Sequence, residues 1–70
     1  MYEVKATMAG SIWQINSKVG EAVKENEVIV ILESMKMEIP IASEKTGVVK
    51  EVRLSEGDFV NEGDVIVVIE

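Results

Sequence analysis

The 70-residue sequence contains no cysteine and no histidine. Without cysteine there is no disulfide and no thiolate site. Without histidine as well, a Ser-His-Asp arrangement, an imidazole general base and a His/Cys zinc site are excluded before any spacing is considered. Aromatics are scarce (Tyr2, Trp13 and Phe59), and Pro40 is the single proline. Positive charge is in deficit: seven Lys and Arg stand against thirteen Asp and Glu, for a formal net charge of −6. Nucleic acid and anionic membrane both need basic patches that displace counterions, so neither is expected as a partner. Long apolar runs are missing too. Val28–Leu32 and Val65–Ile69 are the longest, five residues each, against about 20 needed to span a bilayer. The start, Met1–Lys5, has no apolar signal-peptide core. These absences lead to the expectation of one cytoplasmic domain over residues 1–70.

What the chain does have is β-branched side chains. Twelve Val, eight Ile and two Thr suit a pleated, packed surface and lose rotamer freedom in helices. A chain of this size buries only about 60% of its unfolded surface, so its core must be efficient.

A repeat organises these residues. Shifted by 37, the sequence matches itself at eight of the 26 positions from Met8 to Glu33, with no gap. Gly10 meets Gly47, Gly20 meets Gly57, Val23 meets Val60, and Glu25 meets Glu62. Val28-Ile29-Val30 meets Val65-Ile66-Val67, and Glu33 meets Glu70. The repeats are therefore residues 8–33 and 45–70. Each half reads as short strands cut by turns at Gly20-Glu21 and Gly57-Asp58, then at Glu25-Asn26-Glu27 and Glu62-Gly63-Asp64. Asn26 and Gly63 both tolerate positive φ, which predicts one turn geometry used twice. Ile12/Ile15 and Val49/Val52 are spaced by three where a flat strand wants two, which predicts a twisted or bulged strand in each half. Neither half has enough strands to bury its own apolar faces. Together they predict an all-β flattened barrel or sandwich with pseudo-twofold symmetry.

One segment breaks local preference. Between the halves runs strand, Ser34-Met35-Lys36-Met37, strand, with Glu33 and Glu38 symmetric about the centre. The hairpin spans residues 33–38. A two-residue hairpin turn favours Asn-Gly or Asp-Gly, because both central residues need positive φ. Met35 and Lys36 occupy those positions at a cost of about 1–2 kcal/mol each. Such conflicts concentrate at functional sites. Solvated turn lysines and core-filling methionines are nevertheless common. The residues alone leave a functional and an ordinary Lys36 both open. Elsewhere, Trp13 aligns with Lys50 and reads as packing on a partly exposed surface rather than ligand stacking. Pro40 predicts an edge or irregular strand. Glu62-Gly63-Asp64 lacks the spaced ligands of a calcium loop and reads as solvated.

Glu33-Ser34-Met35-Lys36-Met37-Glu38 resembles the attachment motif of biotin carrier domains, a Met-Lys-Met on an exposed hairpin. Met8–Trp13, Gly20–Val23 and Glu56–Val65 also sit as in that family, so the resemblance covers nearly the whole chain. It is most similar to small stand-alone biotin/lipoyl attachment proteins of Gram-positive bacteria. The family fold is a barrel-sandwich hybrid of two four-stranded antiparallel sheets about a pseudo-twofold axis. The resemblance implies that Lys36 is acylated with biotin by a biotin protein ligase. Met35, Met37 and Glu33 would mark the hairpin for that ligase. Lipoyl domains usually show Asp-Lys-Ala at this tip, so the flanks favour biotin over lipoate. Acceptance of both, with a lipoyl ligase as a further partner, fits this subfamily. Some acetyl-CoA carboxylase carriers insert a protruding segment into one half. The gapless alignment here leaves no such segment, and the partner carboxylase is open.

On this resemblance the chain is a monomeric carrier and not an enzyme, and it holds no metal. A lysine ammonium keeps its proton at neutral pH, so the ligase must remove it and supply an activated acyl group. The biotinyl-lysine then swings between biotin carboxylase and carboxyltransferase sites, at high effective concentration in each. The termini are expected at the end away from Lys36. A lipoyl carrier is the first alternative. The second is an unmodified structural β module, of the kind found in membrane-transport adaptors, which carry a helical insertion absent here.

Overall fold

Both bulges predicted from the three-residue spacing are present, and they explain how short strands wrap a small core. The structure is a computed structural model and describes residues 1–70. It contains strands β1 (Tyr2–Lys5), β2 (Gly10–Ile15), β3 (Ala22–Val23), β4 (Val28–Ser34), β5 (Met37–Ala42), β6 (Gly47–Val52), β7 (Phe59–Val60) and β8 (Val65–Ile69). There is no helix. On β2 the pairing with β4 slips at Trp13, between Ile12 and Gln14. On β6 the pairing with β8 slips at Lys50, between Val49 and Glu51. The extra residue sharpens the local twist. It also lets Ile12 and Ile15, and likewise Val49 and Val52, face the same layer.

The strands form two four-stranded antiparallel sheets, ordered β1-β8-β6-β3 and β5-β4-β2-β7. The arrangement is a barrel-sandwich hybrid. Pairings recur at the 37-residue spacing. Ala22↔Val48 and Val23↔Gly47 join β3 to β6, as Phe59↔Ser11 and Val60↔Gly10 join β7 to β2. Val4↔Val67 in one sheet matches Ile41↔Val30 in the other. The short strands β3 and β7 cross over, so each half donates a strand to the sheet built mainly by the other. Neither half can then close its sheet alone.

The core lies between the sheets and is built from pairs related by the same spacing: Ile12 with Val49, Val23 with Val60, Ile29 with Ile66, and Leu32 with Ile69. All eight are at most 2% exposed. Burying each such side chain contributes about 1.5–3 kcal/mol, in a chain without disulfides. Turns repeat as well. Asn26 and Gly63 have φ of 72° and 89°, the shared geometry predicted for that position. The acids of these turns do more than face solvent. Glu27 and Asp64 accept hydrogen bonds from the Lys24 and Asn61 amides at 3.1 and 2.8 Å. Glu21 and Asp58 do the same for Lys18 and Ser55 at 2.9 and 2.8 Å. The acid-rich turns are therefore ordered by their own carboxylates, a role the sequence reading missed.

Candidate functional site

The β4–β5 hairpin projects from the second sheet. Its register runs from Val28↔Ala42 through Leu32↔Ile39 and Glu33↔Glu38 to Ser34↔Met37. Only Met35 and Lys36 are left for the turn, with φ of 52° and 64°. Both central residues are thus left-handed, as a two-residue type I′ turn demands. The unfavourable turn residues do not shift the register. Leu32 is fully buried and Ile41 is 6% exposed, so a one-residue slip would turn these core side chains to solvent. Strand burial holds the strained tip in place.

Two further residues suit the hairpin to its place in the sheet. Gly10 on β2 lies beneath its base. A Cβ there would meet the Glu33 carbonyl oxygen at 2.7 Å and the Ser34 Cβ at 3.2 Å. Only glycine lets β2 approach the hairpin so closely. Pro40 sits on β5, an edge strand, where a missing N–H breaks no ladder bond. The sequence signal for Gly10 was present as the Gly10/Gly47 match, but its contact with Glu33 was not legible there.

The tip itself is open. Met35 is 85% exposed and Met37 57% exposed, while Lys36, Glu33 and Glu38 are all exposed. Lys36 makes no ion pair and no hydrogen bond; the two ion pairs of the molecule are Lys5–Glu3 and Arg53–Glu51. Glu33 and Glu38 face each other across the hairpin, a like-charge pairing that is mildly destabilising. The amine therefore stands unpaired at the end of a two-stranded arm. No cavity surrounds it. The largest surface groove, about 480 Å³, is lined by Tyr2–Thr7 and Pro40–Ala42 and excludes residues 33–38. Nothing in this geometry activates a nucleophile or binds a small substrate. It presents an unpaired primary amine to solvent, a group that can form an amide with an activated acyl donor.

The termini lie at the other end. β5 runs six residues from the tip, about 20 Å, before Ser43–Thr46 lead to Gly47. Gly47 abuts the C-terminus, since a Cβ on it would lie 2.6 Å from the Glu70 carbonyl oxygen. Tyr2 pairs with Ile69, which brings the N-terminus there too. Tyr2 is partly buried there, next to Glu44. Burial, and then the negative charge of Glu44, raise its phenol above the ordinary 10.0.

A family model described as "Biotin-requiring enzyme" matches residues 2–69. The chain belongs to the biotin/lipoyl attachment family. A "Biotin/lipoyl attachment protein" of Bacillus subtilis is 52% identical over 63 residues, covering 90% of this chain and 86% of that protein. Among solved structures, Kluyveromyces lactis urea carboxylase superposes with a TM-score of 0.92 at 29% identity, over 99% of this chain and 6% of that one. The lipoyl domain of the 2-oxoglutarate dehydrogenase complex from Azotobacter vinelandii superposes with a TM-score of 0.78, also at 29% identity, over 96% of this chain and 95% of that one. Biotin/lipoyl attachment domains carry a covalent cofactor for other catalysts and are not enzymes themselves.

Proposed function

We propose that this biotin/lipoyl attachment domain is a biotin carboxyl carrier, biotinylated on Lys36 by a biotin protein ligase. The observation that carries the reading is the free, exposed amine of Lys36 at a left-handed tip whose register is fixed by buried neighbours. Once the ligase removes its proton, Nζ forms an amide with the activated acyl carbon, and adenylate leaves. The ammonium charge is lost, so the chain becomes more negative by one unit. Met35 and Met37 present two flexible thioether side chains on either side of the amine, and Glu33 a carboxylate at the arm's base. These three are the ligase's recognition marks. When attached, biotin supplies the nitrogen that carries a carboxyl group. The chain supplies reach, orientation and a high local concentration. Its partners on this reading are biotin carboxylase and carboxyltransferase components. The superposition on a urea carboxylase and the Met-Lys-Met flanks support biotin.

A lipoylated Lys36 serving acyl or aminomethyl transfer is the second reading. The likeness to a lipoyl domain along that domain's whole length favours it. Intact-mass measurement after co-expression with a biotin ligase or with a lipoyl ligase separates the two. The expected result is one biotinyl adduct that vanishes in Lys36→Ala. A lipoyl adduct alone keeps the swinging arm and overturns the cofactor. No adduct from either active ligase overturns the carrier reading for this chain.

A further inference from the structure

The two pseudo-equivalent sheet faces differ in chemistry. On the hairpin sheet Val60 is buried, so its neighbour Phe59 points outward, and it is 67% exposed. Phe59 pairs with Ser11, Ser11 with Glu33, and Glu33 with Glu38. Their side chains form one outward row that ends beside the turn holding Lys36. At about 4.8 Å per strand the row is roughly 14 Å long. Trp13, 48% exposed, stands on the same face at the bulge of β2. At the corresponding positions the other sheet carries Ala22 and Lys50. Two of the three aromatic residues in the chain thus lie exposed on the one face that continues into the acceptor tip. Phe59 adds nothing to the core there, because Val60 fills it. Exposed aromatics beside a charged rim are the usual anchors of a protein interface.

We propose that this outer face docks the ligase that acylates Lys36, with Phe59 and Trp13 as apolar anchors and Glu33 and Glu38 as the charged rim. The inference rests on the carrier reading above. Charge is complementary to that occupant. Two opposed carboxylates without an ion pair, in a chain of net charge −6, fit a basic enzyme surface that steers the arm in. Continuity does so too. An enzyme that closes over Nζ covers about 800 Å² of its partner, and a patch of that size around the tip takes in the row from Glu38 to Phe59.

The test is steady-state biotinylation of the apo chain by a purified biotin protein ligase with biotin and ATP. Phe59→Ala and Trp13→Lys each place the other face's residue on this one. Each is expected to raise KM for the chain about tenfold with kcat unchanged. The urea midpoint of Phe59→Ala should match that of the unaltered chain. Ala22→Phe, on the opposite face, leaves KM unchanged. Unchanged KM in both anchor variants overturns the docking surface while Lys36 acylation keeps the carrier reading. An unaltered chain that is never acylated overturns both. Two other occupants would also leave KM unchanged and overturn the proposal. If the aromatics hold the attached group, Trp13 emission shifts on acylation. If they join two copies, the unaltered chain sediments as a dimer that Phe59→Ala splits.

Discussion

On the proposed carrier reading, Met35 and Lys36 are the residues at which stability and function oppose one another. Their positive φ angles cost about 1–2 kcal/mol each in a side chain with a Cβ. Replacing Met35-Lys36 by Asn-Gly is therefore expected to raise stability by about 1–3 kcal/mol, a Tm increase of roughly 4–8 °C per kcal/mol at this chain length. Scanning calorimetry checks the gain, and intact mass checks the expected loss of any acyl adduct. A fall in Tm would show that the tip is unstrained. This conflict was legible in the sequence because turn chemistry is local. The contribution of Tyr2 was not, because it depends on Glu44, distant in sequence. Burial and the Glu44 charge raise the Tyr2 phenol above 10.0. The folded state then favours the neutral phenol, so this contribution is complete below about pH 10 and is lost as pH rises through the raised value. Urea midpoints measured from about pH 9 to about pH 11 should fall more steeply for the unaltered chain than for Tyr2→Phe. Parallel curves would remove Tyr2 from the alkaline response.

At the level of strands, the repeat made the apolar runs of β4 and β8 and the bulges of β2 and β6 readable. Each is a local pattern seen twice. Strand exchange was not readable. A duplication says that both halves fold alike, but Ala22-Val23 and Phe59-Val60 do not say which sheet they join. The two close glycine approaches are also pairwise facts between distant strands. Gly10 lies under Glu33, and Gly47 lies under Glu70, with hypothetical Cβ contacts of 2.7 and 2.6 Å to backbone oxygens. Gly10→Ala and Gly47→Ala should each destabilise by about 1–3 kcal/mol, because a backbone oxygen must move. Their effects on Lys36 should differ. Gly10→Ala displaces the hairpin base and slows acylation, whereas Gly47→Ala acts at the far end and leaves the acylation rate unchanged. Chemical denaturation with ligase kinetics on both variants measures this. Equal slowing would mean that the ligase senses global stability and not hairpin placement.

Taken whole, the chain ends meet at the position that the repeat pairs with the hairpin tip. Tyr2↔Ile69 is the repeat counterpart of Ile39↔Leu32, so Met1 and Glu70 occupy the places of Glu38 and Glu33. Four residues, Ser34–Met37, join Glu33 to Glu38, and four residues would join Glu70 to Met1. Cyclising the chain through an added Ser-Met-Lys-Met should therefore build a second left-handed tip at the terminal end. The closed chain should unfold at a higher temperature, since closure removes conformations from the unfolded state. With Lys36→Arg in the same chain, the added lysine is the only amine at a tip. Because its sheet face carries Ala22 and Lys50 where the other carries Phe59 and Trp13, it should be acylated with the same kcat and a higher KM. Placing Ala22→Phe and Lys50→Trp beside it should lower that KM. An added lysine modified as readily as Lys36, without those changes, would mean that the tip and its flanks carry all the recognition. No modification at all, in a cyclised chain of raised Tm, would mean that the strand frame does not by itself define an acceptor.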